Sequence, residues 1–150
     1  MKVTITVHGR PAPQGSKRTG GAGQLLEQSA YLPAWKQAVK IAAYRAYAEM
    51  GIGQDVLPLF PARVPLHIEQ CTFFVGPTEC RAEGTTAPVG PPDIDKLLRG
   101  LLDALGGGRK GTARLFADDA QIVRIDRLSK QRAGHPDRTG AVIIISDGRE

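Results

Sequence analysis

The sequence has few of the residues that build disulfide scaffolds, zinc sites or nucleophilic triads. Its 150 residues include two cysteines, Cys71 and Cys80, and three histidines, His8, His67 and His135. Two cysteines are too few for a disulfide framework, and without a CxxC pair or a nearby histidine pair they are poor zinc ligands. The histidines are scattered along the chain and form no Ser/His/Asp arrangement. We therefore expect both cysteines and all three histidines to be structural or surface residues.

Long apolar runs are also missing. No segment approaches the roughly 20 consecutive apolar residues of a membrane span. Met1 leads directly into an alternating strand pattern rather than a signal peptide, which favours a cytoplasmic protein with no membrane partner. A hydrophobic content of 41% and a charged content of 23% are ordinary for a globular chain. The length and composition predict one domain that covers residues 1–150.

The charge balance is basic, with 20 lysines and arginines against 15 acidic residues and a net charge of +5. Such an excess favours a polyanionic partner, and phosphate attraction is its commonest use. Many of the basic residues fall in segments that also hold glycine or polar residues. This pattern predicts basic loops rather than one charged helix face, at Lys17, Arg18, Arg109, Lys110, Arg114, Lys130 and Arg132.

Hydrophobic spacing predicts the order of the secondary structure. Apolar alternation indicates strands at 2–8, 64–75, 122–128 and 141–146. Helical spacing indicates a helix from Pro33 to Gly51 and a second, strongly amphipathic helix from Ile94 to Leu105. The apolar phase of the second strand changes near Gln70, which predicts a bulge or strong twist. The last strand is apolar enough to be central in the sheet or to lie at a subunit interface. The fold class that we predict is α+β, with a small mixed sheet packed by two main helices.

Acidic residues gather at two places, in PPDIDKLLR (91–99) and in FADDAQ (116–121). A tight carboxylate cluster repels phosphate unless a divalent cation lies between them. Two residues that are i and i+2 on a regular helix point about 200° apart. Asp93 and Asp95 can therefore face one ion only if Asp93 precedes the helix and Asp95 lies in its first turn. The sequence thus indicates metal-assisted chemistry on a nucleic-acid phosphate.

Each of these aspartates also has a structural interpretation. Asp93 is a good N-cap residue, and Asp95 with Arg99 fits a surface pair worth a few tenths of a kcal/mol. Asp118 and Asp119 fit a turn. The structural interpretation has to explain all of them at once in a cationic protein. One row, spaced by four residues, borders the apolar stripe of the helix: Asp95, Arg99 and Asp103.

Two other phosphate-handling motifs do not fit the sequence. Phosphatases and sugar transferases that use DxD need an apolar strand that runs into it, whereas residues 87–92 read APVGPP, a loop. Gly15-Ser16-Lys17 has the wrong order for a phosphate-binding loop, and no helix is predicted directly behind it.

The ordered set of motifs resembles the RusA family of phage- and prophage-associated Holliday junction resolvases. The resemblance rests on PDIDKLLR (92–99), LDAL (102–105) and FADDAQIV (116–123). It extends more loosely to the opening strand, the loop at 13–18 and the helix of Trp35, so it covers most of the chain. Members are homodimeric, Mg²⁺-dependent endonucleases of mixed α/β fold that nick four-way DNA junctions at two symmetric places.

The resemblance also implies which residues act. It assigns Asp93, Asp95 and Asp119 to catalysis and to binding of Mg²⁺, with Mn²⁺ as a substitute, and Asp118 to the same motif. The catalytic basic residue of the family is usually lysine, here Arg99, and the position after the second aspartate is often asparagine, here Lys96. Since an arginine does not give up its proton in proteins, we expect Arg99 to stabilise charge in the transition state rather than to act as an acid.

The expected partner is branched DNA, bound by a homodimer in the cytoplasm of a bacterial or phage-infected cell. The residues predicted to hold flanking phosphates are Lys17, Arg18, Lys96, Arg109, Lys110 and Lys130. Two other functions stay open at this point. One is a DNA-binding protein without catalysis, in which the aspartates are caps and surface pairs. The other is a metal nuclease that acts on other branched DNA or on duplex DNA.

Overall fold

The computed structural model describes residues 1–15, 30–53, 58–76, 87–106 and 114–148. Within these residues the chain forms an α+β fold of five strands and two helices, which confirms the predicted fold class at that level. The strands are β1 (Lys2–His8), β2 (Leu66–Val75), β3 (Ile122–Ile125), β4 (Leu128–Arg132) and β5 (Gly140–Asp147). The helices are α1 (Leu32–Glu49) and α2 (Ile94–Gly106), and two short 3₁₀ helices cover Asp119–Gln121 and Pro136–Arg138.

The strands form one mixed sheet in the order β1–β5–β2–β3, with β4 also paired to β2. β5 is antiparallel to both β1 and β2, so it is central, as its apolar sequence predicts. β3 and β4 run parallel to β2 and follow one another along the same edge of it. The register between β2 and β5 shifts between Ile68 and Gln70. This shift is the predicted bulge.

β4 corrects two predictions made from the sequence. We expected one strand at 122–128, followed by a basic loop that holds Lys130 and Arg132. The structure instead breaks the strand after Ile125 and places both basic residues in β4. Apolar alternation did not reveal β4 because it lies at the sheet edge. Backbone pairing with β2, rather than burial of its side chains, defines it.

The core lies between the helices and one face of the sheet. β1 alternates buried and exposed residues along its whole length, as expected for a strand with one face in the core. α1 packs against β1 and α2. The largest fully buried side chains are Trp35, Tyr47, Phe60, Phe73 and Phe116. None of the helices in the described ranges is long and apolar enough to span a membrane.

Cys71 is a buried core residue without a disulfide, as expected. Burial raises the pKa of its thiol to about 12, so it stays protonated and unreactive at neutral pH. Cys80 lies outside the described residues.

The end of α2 lies directly on the segment that leads to the second acidic motif. Gly106 is the last residue of α2, and a Cβ atom there would clash with the ring of Phe116. The amide of Leu115 donates to the carbonyl oxygen of Leu105 at 2.8 Å. The position of residues 116–121 relative to α2 is therefore fixed by close packing as well as by a backbone hydrogen bond.

Gly106→Ala is expected to destabilise the fold by about 1–3 kcal/mol, because the fully buried Phe116 ring must move to admit the new methyl group. Urea unfolding measures the change. Gly134→Ala is the matched control, since its added Cβ would have no heavy atom within 4 Å, and its effect should stay within about 0.5 kcal/mol. Equal unfolding midpoints for the two variants would show that residue 106 and the Phe116 ring are not in tight contact.

Candidate functional site

Asp93 and Asp95 lie at the start of α2 in the arrangement that a shared ion requires. The amide of Leu97 donates to the carbonyl oxygen of Asp93 at 3.0 Å, so Asp93 directly precedes the helix and Asp95 lies in its first turn. The carboxylate of Asp93 is 57% exposed and lies 3.3 Å from Nζ of Lys96. The carboxylate of Asp95 is exposed and has no ion-pair or hydrogen-bond partner among the described residues.

Lys130 holds the loop that enters α2. Its Nζ donates to the carbonyl oxygens of Gly90 at 2.7 Å and of Pro92 at 2.8 Å. An ammonium group has three donors, so two of them serve the protein itself. Lys130 was predicted to hold a DNA phosphate. The observed bonds give it a second role, which is to fix the backbone immediately before Asp93.

Arg99 and Asp103 continue the row of Asp95 along α2, one turn apart. Asp103 pairs with Lys36 of α1. Arg99 is exposed and forms no ion pair with either carboxylate in the described part of the chain. The surface-pair interpretation of Asp95 and Arg99 is therefore wrong, and both residues are exposed in the described part of the chain.

The adjacent residues Asp118 and Asp119 differ in what their carboxylates do. Oδ1 of Asp118 accepts from the amide of Ala120 at 2.9 Å and caps the 3₁₀ helix that begins at Asp119. The carboxylate of Asp119 has no hydrogen-bond or ion-pair partner in the ranges that the structure describes. The turn interpretation thus fits Asp118 but leaves the carboxylate of Asp119 unexplained.

Partial burial raises the pKa of Asp119, and the carboxylates of Asp103 and Asp118 raise it further. Asp103 belongs to α2, which contacts the 3₁₀ helix of Asp119, so the negative charge of Asp103 acts on the Asp119 carboxylate. A carboxylate that is partly buried beside other carboxylates is stabilised when it is protonated or when it binds a cation. This concentration of negative charge is the main electrostatic feature of the site.

Asp119→Asn is expected to stabilise the protein at neutral pH. The folded-state pKa of Asp119 is raised above its ordinary value of 3.8, so its ionised form opposes folding and its protonated form does not. The stability advantage of the variant should therefore grow as pH rises through the pKa of Asp119 and vanish below pH 3.8. Thermal unfolding between pH 3 and pH 8 measures it. A variant that is less stable than the wild type at pH 7 would contradict this description of Asp119.

α2 contacts the 3₁₀ helix that begins at Asp119, and the described residues gather no cluster of metal ligands there. Across the described segments no group of three or more histidine, cysteine, aspartate or glutamate side chains is close enough to hold one ion. Asp93 and Asp95 lie at the start of α2, and Asp103 lies about 12 Å further along the helix from Asp95. The metal-binding set implied by the resemblance stays a prediction. That set did not include Asp103, although its place in the row of Asp95 and Arg99 was the sequence signal for it.

The donors present nevertheless suit a hard divalent cation. Mg²⁺ is usually held by one or two carboxylates, with water and substrate phosphate oxygens completing its shell. Asp103 and Asp119 interact electrostatically, so a cation near both would relieve their repulsion, and Asp93 and Asp95 both lie at the start of α2. The site therefore fits an ion that is held partly by substrate, rather than one enclosed by three protein side chains.

The remaining predicted DNA-binding residues are only partly visible. Lys17, Arg18, Arg109 and Lys110 lie outside the described residues. Lys96 lies within the site, where its ammonium group contacts Asp93. Its side chain is 41% exposed, so it remains accessible to a phosphate as well.

The sequence was also compared with known proteins. No protein-family model matches the chain, and no curated protein matches it. A functional assignment therefore depends on the motifs, on the resemblance that they carry and on the geometry of the site.

Proposed function

We propose that the protein is a Mg²⁺-dependent endodeoxyribonuclease that resolves four-way DNA junctions as a homodimer. One observation carries the proposal: the side chains of Asp95, Arg99 and Asp119, which the resemblance assigns to the active site, have no ion-pair or hydrogen-bond partner within the described residues. Other described acidic side chains, apart from Glu49, are engaged. Ion pairs involve Glu69, Asp93, Asp103, Asp126, Asp137 and Asp147, and Asp118 caps a helix.

The ion pairs of the acidic side chains support a bound ligand, because carboxylates on a basic protein surface normally pair with a lysine or an arginine. The net charge of +5 makes such pairing easy, yet the carboxylates of Asp95 and Asp119 have no cationic partner among the described residues. A divalent ion, when bound, would supply an activated water and would offset charge on the leaving oxygen. The protein contributes the oxygens of Asp119 and Asp95, and Asp103 and Asp93 add negative charge beside them.

Arg99 has the position and the chemistry for stabilising the scissile phosphate. It lies on the same row of α2 as Asp95 and Asp103, one turn from each. Its guanidinium stays charged at every physiological pH. A fixed positive charge beside the phosphate stabilises the negative charge that develops on its oxygens.

The dimer and the substrate are matched by symmetry. A four-way junction has near two-fold symmetry, and a two-fold dimer can present one site to each of two opposed strands. The basic residues would hold the flanking phosphates, so affinity should fall steeply with salt concentration.

A cleavage assay with three substrates tests the proposal. The wild-type protein is mixed with a labelled four-way junction, with a flap and with linear duplex of the same sequence, while Mg²⁺ is raised from zero. We expect paired nicks in the junction that appear with Mg²⁺. A shifted but intact junction at every Mg²⁺ concentration would indicate a binding protein. Equal cleavage of flap or duplex would indicate a nuclease of different selectivity.

A further inference from the structure

Gln121 is a buried polar residue of the second acidic motif whose whole amide group is used. Only 7% of the surface of this residue is exposed. Oε1 accepts from the amides of Ala117 at 2.8 Å and Asp118 at 2.9 Å. Nε2 donates to the carbonyl oxygens of Pro61 at 2.8 Å and Val64 at 3.1 Å. An amide side chain has two N–H donors and two acceptor sites, so all four are satisfied.

These four bonds join two segments that are distant in sequence. Backbone pairing brings the segments together near Phe60 and Phe116, and the amide of Phe60 donates to the carbonyl oxygen of Leu115 at 2.9 Å. Beyond that point Gln121 supplies the connection. It links residues 61–64 to the backbone on the amino side of Asp119.

The same side chain closes the turn around Asp119. Asp118 caps the 3₁₀ helix by accepting from Ala120, and the Gln121 side chain accepts in return from the amide of Asp118, which completes a capping box. Asp119 lies between these two reciprocal bonds. Its backbone is therefore held on both sides, while its own carboxylate is left unbonded by the described residues.

We propose that Gln121 is a positioning residue, which holds the 3₁₀ turn of Asp119 against α2 in the position where the carboxylate can bind a divalent cation. The inference rests on the proposed function and adds to it a residue that touches neither metal nor DNA. Only a side chain with donors at one position and an acceptor at another can make this link. Glutamate keeps the acceptor but loses both donors, and methionine keeps the approximate size but loses all four bonds.

The test uses the full-length protein with Gln121→Met, and with Gln131→Met as the matched control. Gln131 is an exposed glutamine of β4. Gln121→Met is expected to raise the Mg²⁺ concentration for half-maximal junction cleavage by about 10–100-fold. Junction affinity measured without divalent ions should change less than about threefold. A general loss of structure would instead weaken both the Mg²⁺ response and the junction affinity. Gln131→Met should change neither value.

A second measurement does not depend on cleavage. Mn²⁺ should broaden the amide signals of Ala120 and Gln121 in ¹H–¹⁵N spectra of the wild type, because these amides lie beside Asp119. In Gln121→Met the same broadening should require at least tenfold more Mn²⁺. If Gln121→Met does not fold, Gln121→Glu takes its place with the same expected direction.

The outcomes separate this inference from the proposed function. A wild type that never nicks DNA ends the proposed nuclease function, but loss of Mn²⁺ broadening in the variant would still support the positioning role. Unchanged Mg²⁺ dependence in a folded variant overturns the inference. Wild-type spectra without Mn²⁺ broadening at Ala120 also overturn it, whether or not the protein cleaves DNA.

Discussion

Asp119→Asn is expected to lower Mg²⁺-dependent nicking of a junction by about 10³-fold or more, whereas Asp118→Asn should leave it within about tenfold. An ion at a cleaved phosphate supplies several kcal/mol of transition-state stabilisation, and each 1.4 kcal/mol corresponds to a tenfold rate. Each of the two substitutions removes one negative charge, but the carboxylates of Asp118 and Asp119 have different partners. The carboxylate of Asp118 accepts from the amide of Ala120, and the carboxylate of Asp119 has no partner among the described residues.

The contrast between the two variants depends on the cap. Asparagine is as good an N-cap as aspartate, so Asp118→Asn keeps the turn that holds Asp119. Single-turnover cleavage at saturating protein measures both rates. Binding of the junction should be retained or tightened in Asp119→Asn, because a negative charge that repels phosphate is removed. Equal losses in the two variants, or full activity in Asp119→Asn, would remove Asp119 from the proposed mechanism.

Arg99→Ala should reduce the cleavage rate by about 10²–10³-fold, the usual cost of removing one donor that stabilises developing negative charge. Arg99→Lys should stay within about tenfold of the wild type, because the positive charge is kept. Arg99 is exposed and forms no ion pair among residues of the described segments, so neither change should disturb the fold. Single-turnover rates and junction affinity are measured together for each variant.

Arg45→Ala is the control for the loss of a positive charge, since Arg45 is an exposed residue of α1. It should weaken junction binding no more than Arg99→Ala does and should leave the cleavage rate of the bound complex unchanged. An inactive Arg99→Lys variant would show that a charge alone is not sufficient. Unimpaired cleavage by Arg99→Ala would exclude Arg99 from the chemistry.

The sequence predicted those parts of the fold in which burial repeats with a regular period. β1 is bounded by the predicted residues, and α2 begins at the predicted residue Ile94. Both have one face in the core and one toward solvent, so apolar periodicity marks them directly. β4 has no such pattern, because its pairing is a backbone property of a sheet edge. Its basic residues therefore suggested a loop.

The candidate site was predictable in its residue types but not in its internal contacts. The spacing of Asp93 and Asp95 across the helix start followed from helix geometry alone. The electrostatic interaction of Asp119 with Asp103 did not, because it depends on how Phe116 packs against Gly106. The roles of Gln121 and Lys130 also require coordinates, since their partners are backbone carbonyls and amides that carry no sequence signal.

The location of a bound divalent ion tests the central proposal most directly. Crystals of the protein with junction DNA and Mn²⁺ would give anomalous scattering peaks that mark each ion. We expect a peak about 2.1 Å from a carboxylate oxygen of Asp119 and from a phosphate oxygen. A junction complex that cleaves with Mn²⁺ but shows its ions only away from Asp119 and Asp95 would contradict the proposal.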